Sequence, residues 1–229
     1  MLRLHHHAFD PFSRAVRLSL AEQGLEAALV EERPWERRRE FLGLNPAGTL
    51  PVLVHDGFPV CGSYAIHEYV DETWGASLGA RRLMPAGRQA RAEVRRLLDW
   101  FDRKFYDEVT YNLVNEKVFK RYLAAGQGGG APDAGVIHAG RTNIRHHLRY
   151  IGYLIRARNW LAGDALTAAD LAAAAHISCV DYLGDVPWDE DESAKTWYAR
   201  VKSRPAFRAL LADGIPGMPP APAYADLDF

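Results

Sequence analysis

The chain has 229 residues, a formal net charge of -1, 48% apolar residues and 25% charged residues. These values exclude a disordered, collagen-like or coiled-coil chain and leave room for one large domain or two small ones. They provide no overall field for nucleic acid or an anionic membrane, so neither is expected as a partner.

Cys61 and Cys179 stand far apart and form no CxxC pair. Neither a disulfide framework nor a zinc site is expected, and a reducing compartment fits. The first residues carry no apolar core of a secretory signal. The most apolar late stretch, Leu171 to Val180, is interrupted by His176, and at about ten residues it is too short to span a bilayer. A cytoplasmic protein without membrane insertion is the expectation.

In chain order, residues 1–6 alternate and read as a strand. Phe12 to Gln23 places Val16 and Leu20 at helical spacing, and Gly24 supplies the stop. Ala27 to Glu31 is a second strand, and Trp35 to Leu44 a short charged helix or loop. Val52 to Val54 and Phe58 to Val60 flank His55-Asp56-Gly57, a hairpin signal. Ser63 to Trp74 reads as a helix with Ile66, Tyr69 and Val70 on its apolar face. The order β-α-β-α-β-β-α describes an α/β unit.

From Met84 onward helices dominate. Val94, Leu98, Phe101 and Phe105 lie along one helical face, which Leu113, Val118, Phe119 and Tyr122 extend. Gly126 to Pro132 forms a loop without the spacing of a phosphate cradle. A second long helix carries Ile144, Leu148, Ile151 and Ile155, a third starts at Thr167, and a fourth spans roughly residues 193–204. His5, His6 and His7 sit on a strand, where neighbours point to opposite faces, so no metal site is expected.

Four motifs in register give the chain a family resemblance. They are Asp10-Pro11-Phe12-Ser13-Arg14 after the first strand, Asn45-Pro46-Ala47-Gly48-Thr49-Leu50-Pro51-Val52-Leu53, Cys61-Gly62-Ser63-Tyr64-Ala65-Ile66, and Thr167-Ala168-Ala169-Asp170. Together they resemble the glutathione S-transferase fold. The resemblance implies a thioredoxin-like domain over residues 1–79, an all-helical domain over 86–214 and an extended proline-rich, acidic-aromatic tail over 215–229. It also implies a cis bond at Leu50-Pro51, the turn that shows its backbone to the cysteinyl part of glutathione in the family. Thr167 and Asp170 match the family's capping box.

Two positions depart from the family pattern. Where the family places a donor to the glutathione sulfur, this chain has Asp10. An ionised carboxylate only accepts hydrogen bonds, and beside a thiolate it is a like charge. Asp10 followed by Pro11 reads instead as a helix N-cap with proline at the first position. Ser13 is the residual catalytic candidate. The second departure is Gly62, where the family holds the γ-glutamyl amino group with a Glu or Gln. Ser63 remains, as a cap or as a seat for a carboxylate. Each missing charge-assisted bond costs roughly 1.5–3 kcal/mol, about ten- to hundredfold in affinity. The pocket formed by Asp10, Ser13, Leu50, Pro51, Gly62 and Ser63 is therefore expected to be degenerate, with no cofactor.

The tail has four prolines in the eight residues 215–222 and ends Tyr224-Ala225-Asp226-Leu227-Asp228-Phe229. Tyr224, Leu227 and Phe229 either pack back on the protein or join Asp226 and Asp228 as a partner-docking peptide. With Asp10 and Gly62, this ending resembles bacterial division proteins of the same fold that bind filaments of the tubulin homologue FtsZ. That resemblance implies a non-catalytic homodimer acting on FtsZ assembly at the division site. The enzymatic alternative is a glutathione transferase acting on an apolar electrophile through Ser13, with glutathione as its co-substrate. A dehalogenase- or isomerase-like member is a third reading, for which the helical domain specifies no substrate.

Overall fold

The computed structural model describes residues 1–226. Its first half is a four-stranded mixed sheet with helices on both faces. The elements are β1 (Leu2–His6), α1 (Pro11–Gln23), β2 (Ala27–Glu31), α2 (Arg39–Leu44), β3 (Val52–His55), β4 (Phe58–Cys61) and α3 (Ser63–Leu78). The strand order is β2-β1-β3-β4. β1 runs parallel to β2 and antiparallel to β3, and β3 and β4 form the expected hairpin. Both turn residues, Asp56 and Gly57, have positive φ, the geometry a tight Asp-Gly hairpin turn needs.

Strand alternation sorts the two faces. Leu2, Leu4, Leu53 and Val60 pack against Val16 and Leu20 of α1 and Ile66 and Val70 of α3. Phe41, Leu50, Val52 and Val54 make a second apolar layer beneath α2. His5 and His6 diverge as the alternation requires: His5 stacks on Phe41, while burial and the Arg17 charge push His6 down to about 4.

The second half is helical: α4 (Arg88–Asp99), α5 (Ala134–Ala157), α6 (Ala168–Tyr182), α7 (Glu192–Lys202) and the short α8 (Arg208–Leu211). Helix α4 runs on without a break into a π-helical segment, Trp100–Asn115. Every residue of α6 is buried, so this helix forms the axis of the molecule. Ala15 and Leu18 of α1 belong to the same core as Ala172, Ala175 and Val180 of α6, which locks the two halves together. Thr167 and Asp170 form the expected capping box. Asp170 also accepts from the Leu161 backbone N–H and the Trp197 indole N–H. Among the described residues, no helix is long and apolar enough to cross a membrane.

Two expectations are corrected. The apolar face does not continue as one helix to Tyr122. Phe119 to Arg121 form a single 3-10 turn, and Phe119 and Tyr122 turn away to meet Trp35, which stacks on Tyr122 at 5.3 Å. Nor is the tail extended throughout. Pro222–Ala225 form a 3-10 turn that buries Tyr224. Proline at the first position presets that turn, and Ile215, Met218 and Tyr224 fill a groove beside Phe9 and Tyr182.

Candidate functional site: the cleft between the two halves

The site is built where β1 meets α1. The chain leaves β1, turns through Ala8 and Phe9, and enters α1 at Asp10. The Asp10 carboxylate accepts from the Ser13 backbone N–H at 2.7 Å, and Pro11 takes the first helical position. Asp10 is thus the N-cap its sequence context implies. Burial pushes its carboxyl up to about 7; the bonds from Ser13 pull the other way, and the nearby Asp102 adds to the rise. The bond it does make, from the Ser13 N–H, holds its own helix start.

Ser13, the residual catalytic candidate, is fully buried. Its Oγ accepts from the His7 backbone N–H at 3.4 Å. The hydroxyl faces the interior of the first turn, and no solvent reaches it.

On the opposite wall the Asn45 to Pro51 turn is built as expected. Asn45 Nδ2 donates to the Thr49 carbonyl at 2.8 Å, Asn45 Oδ1 accepts from the Ala47 N–H, and Leu50-Pro51 is cis. Gly62 caps α3 with φ 91° and ψ 144°, a conformation that only glycine adopts without strain. Its N–H donates to the Pro51 carbonyl.

Ser63 opens α3 and is nearly buried. Its hydroxyl donates to Asp102 Oδ2 at 2.8 Å. The other oxygen of Asp102 accepts from His176 Nε2 at 3.2 Å, and His176 Nδ1 pairs with Thr110 Oγ1 at 3.1 Å. A polar chain thus runs from the start of α3, through a carboxylate of the helical half, to the fully buried His176 on α6. The one side chain left to hold a ligand carboxylate already holds a carboxylate of its own chain.

A cavity of about 50 Å³ lies beside Asp10, walled by Pro11, Tyr106, Thr110, Tyr111 and Phe119. Burial holds the Tyr106 phenol well above its usual range, and Asp10 adds to the shift. Among the described residues, no group of three His, Cys, Asp or Glu side chains is placed to hold a metal.

Asp102, Tyr106 and His176 escape sequence reading. Asp102 stands next to Arg103 and Lys104 in a charged helix and looks like a solvated residue. Only the packing of α3 against the π-helical segment reveals its partner.

Tyr224, expected among the partner contacts, is an internal anchor. It is fully buried. Its hydroxyl accepts from Arg14 and donates to the Leu210 carbonyl, and its ring meets Tyr182 edge-on at 5.1 Å. The phenol reaches both partners only from inside. Asp226 is exposed, and Leu227, Asp228 and Phe229 lie outside the described residues.

The profile of glutathione S-transferase N-terminal domains matches residues 11–73. FtsZ-localized protein A of Caulobacter vibrioides (strain NA1000 / CB15N) is 47% identical over 230 residues, covering 99% of this chain and 97% of that protein. The chain belongs to the FtsZ-localized protein A family. Within the same fold, a crystal structure of a glutathione S-transferase from Sinorhizobium meliloti 1021 superposes with a TM-score of 0.96 at 51% identity, covering all of both chains. The structure of FzlA from C. crescentus superposes with a TM-score of 0.92 at 47% identity, covering 100% of this chain and 99% of that one. The transferase fold is shared along the whole length of this family member, while the cleft carries the substitutions described above.

Proposed function

We propose that this chain is an FtsZ-associated division protein that works through its surface, with its cleft closed to glutathione. The observation that carries this is similarity along the entire chain to FtsZ-localized protein A. The internal bond between Ser63 and Asp102 and the acid at the sulfur position support the non-catalytic part. The protein is a cytoplasmic homodimer placed at the division site, and its Asp226-Leu227-Asp228-Phe229 end contacts FtsZ and alters filament assembly. Two copies of a weak site gain avidity along a repeating filament.

The test is sedimentation with purified FtsZ polymer, alongside light scattering for mass in solution. The protein pellets with polymer and stays in the supernatant without it, and its mass is twice that of one chain. Failure to pellet refutes the association. A mass of one chain removes the avidity argument.

A transferase reading is favoured by one observation, the 51% identity to the Sinorhizobium structure described as a glutathione S-transferase. Conjugation of glutathione to an aromatic halide, silenced by Ser13→Ala, would establish that reading. No turnover by the wild-type protein is the outcome expected here.

A further inference from the structure

We infer that the loop that once opened the active site now serves as the pedestal of the C-terminal segment. Ala8, Phe9 and the buried Arg14 hold residues 215–226 so that the chain passes Asp226 at one fixed place. This rests on the reading that the C-terminal end contacts FtsZ, and it assigns that end a mechanism of presentation.

The segment is stitched down at each step. The Ile215 N–H donates to the Tyr182 hydroxyl at 3.0 Å, and that hydroxyl donates to the Met218 carbonyl at 2.6 Å. The Ala221 N–H donates to the Tyr182 carbonyl at 2.9 Å. Lys202 Nζ reaches the Ala223 carbonyl at 3.3 Å. Tyr224 then enters the interior between Arg14 and Tyr182.

The far side of this seat is the old active-site loop. Arg14 Nε donates to the Ala8 carbonyl at 2.9 Å, and its guanidinium lies 4.9 Å from the centre of the Phe9 ring. Phe9 is buried edge-on against Tyr182 at 4.6 Å. Arg14 also donates to Ser178 Oγ, the Leu210 carbonyl and Asp213, so one side chain joins the cleft loop, α6, the end of α8 and the tail. A fully buried guanidinium needs its acceptors, and the Tyr224 hydroxyl is one of them. Releasing the tail would leave Arg14 short of an acceptor and open a void of phenol size, so the anchored arrangement is the stable one.

Anchoring fits the sequence that follows. Asp226, Leu227, Asp228 and Phe229 alternate acidic and apolar groups, which suits a basic surface with apolar recesses. So short a peptide binds well only if its ordering is done beforehand.

The experiment uses the full-length protein in sedimentation titrations with FtsZ polymer, comparing deletion of residues 227–229, Tyr224→Phe and Tyr224→Ala. Deletion abolishes binding. Tyr224→Ala weakens it at least tenfold, and Tyr224→Phe, which keeps the ring, gives an intermediate loss with an unchanged circular dichroism spectrum. A fluorophore at Phe229→Cys in a Cys61→Ser background reports greater local mobility once Tyr224→Phe is added. Loss of binding on deletion combined with full binding by both Tyr224 variants overturns the pedestal and leaves the tail contact standing. Full binding by the deletion removes the tail contact, and the pedestal with it. Should Tyr224→Ala fail to fold, the phenylalanine variant and the mobility readout decide.

Discussion

Asp10→Asn separates the capping role of Asp10 from its charge. Asparagine caps a helix as well as aspartate does, so the bond from the Ser13 N–H survives while the titration disappears. In the native protein burial lifts the Asp10 carboxyl from 3.8 to about 7, so the folded state holds this proton more tightly than the unfolded chain. A raised carboxyl of this kind lends its full stability below the unfolded value and loses it as the pH climbs to the folded one. The window therefore runs from pH 3.8 to about 7. The whole swing is about 4 kcal/mol as an upper bound. Asp10 is only half-buried, and solvent screening reduces the swing to about 2–3 kcal/mol. Relative to wild type, Asp10→Asn should be neutral or slightly destabilising at pH 4 and stabilising at pH 8, by roughly 4–12 °C in Tm for a chain of this size. Thermal melts at pH 4, 6 and 8 measure the difference, and every other titrating group is common to both proteins and cancels. A gap that does not change with pH would refute the claim that burial raises this carboxyl in the folded protein.

Three further outcomes follow from the same geometry. Asp102→Ala should free the Ser63 hydroxyl and leave the buried His176 short of a partner, lowering stability by about 1–3 kcal/mol; glutathione should then raise its Tm more than that of wild type, and an equal response would show that the internal carboxylate does not occupy the ligand's seat. Gly62→Ala should cost about 1–2 kcal/mol through backbone strain alone, since nothing lies within 4 Å of the added Cβ; an unchanged melting curve would contradict the strained φ. Asp170→Asn should destabilise by about 3 kcal/mol or more, because each carboxylate oxygen accepts two donors and the amide group would set N–H against N–H; chemical denaturation reads the loss.

Local signals carried most of the fold. Asp10 and Gly24 bound α1 as a side-chain cap and a left-handed stop, Asp56-Gly57 turns the hairpin, and Thr167 and Asp170 start α6. Each of these spans a few residues, so its physics is written in adjacent letters. The Ser63–Asp102 bond joins positions 39 apart in sequence, and Arg14–Tyr224 joins positions 210 apart. Nothing near Asp102 distinguishes it from its solvated neighbours. The aromatic spacing of Phe119 and Tyr122 is the same whether the pair extends a helix or meets Trp35, and only the end of the π-helical segment decides between the two.

The two long-range bonds have a common consequence for how the old cleft is used. Here the start of α3 is closed by Asp102 from the helical half, and the turn after β1 is backed by Arg14, Phe9 and the tail. Both add contacts between the halves beside the cleft. Reopening the cleft would therefore require undoing bonds that now join the two halves and seat the C-terminal segment.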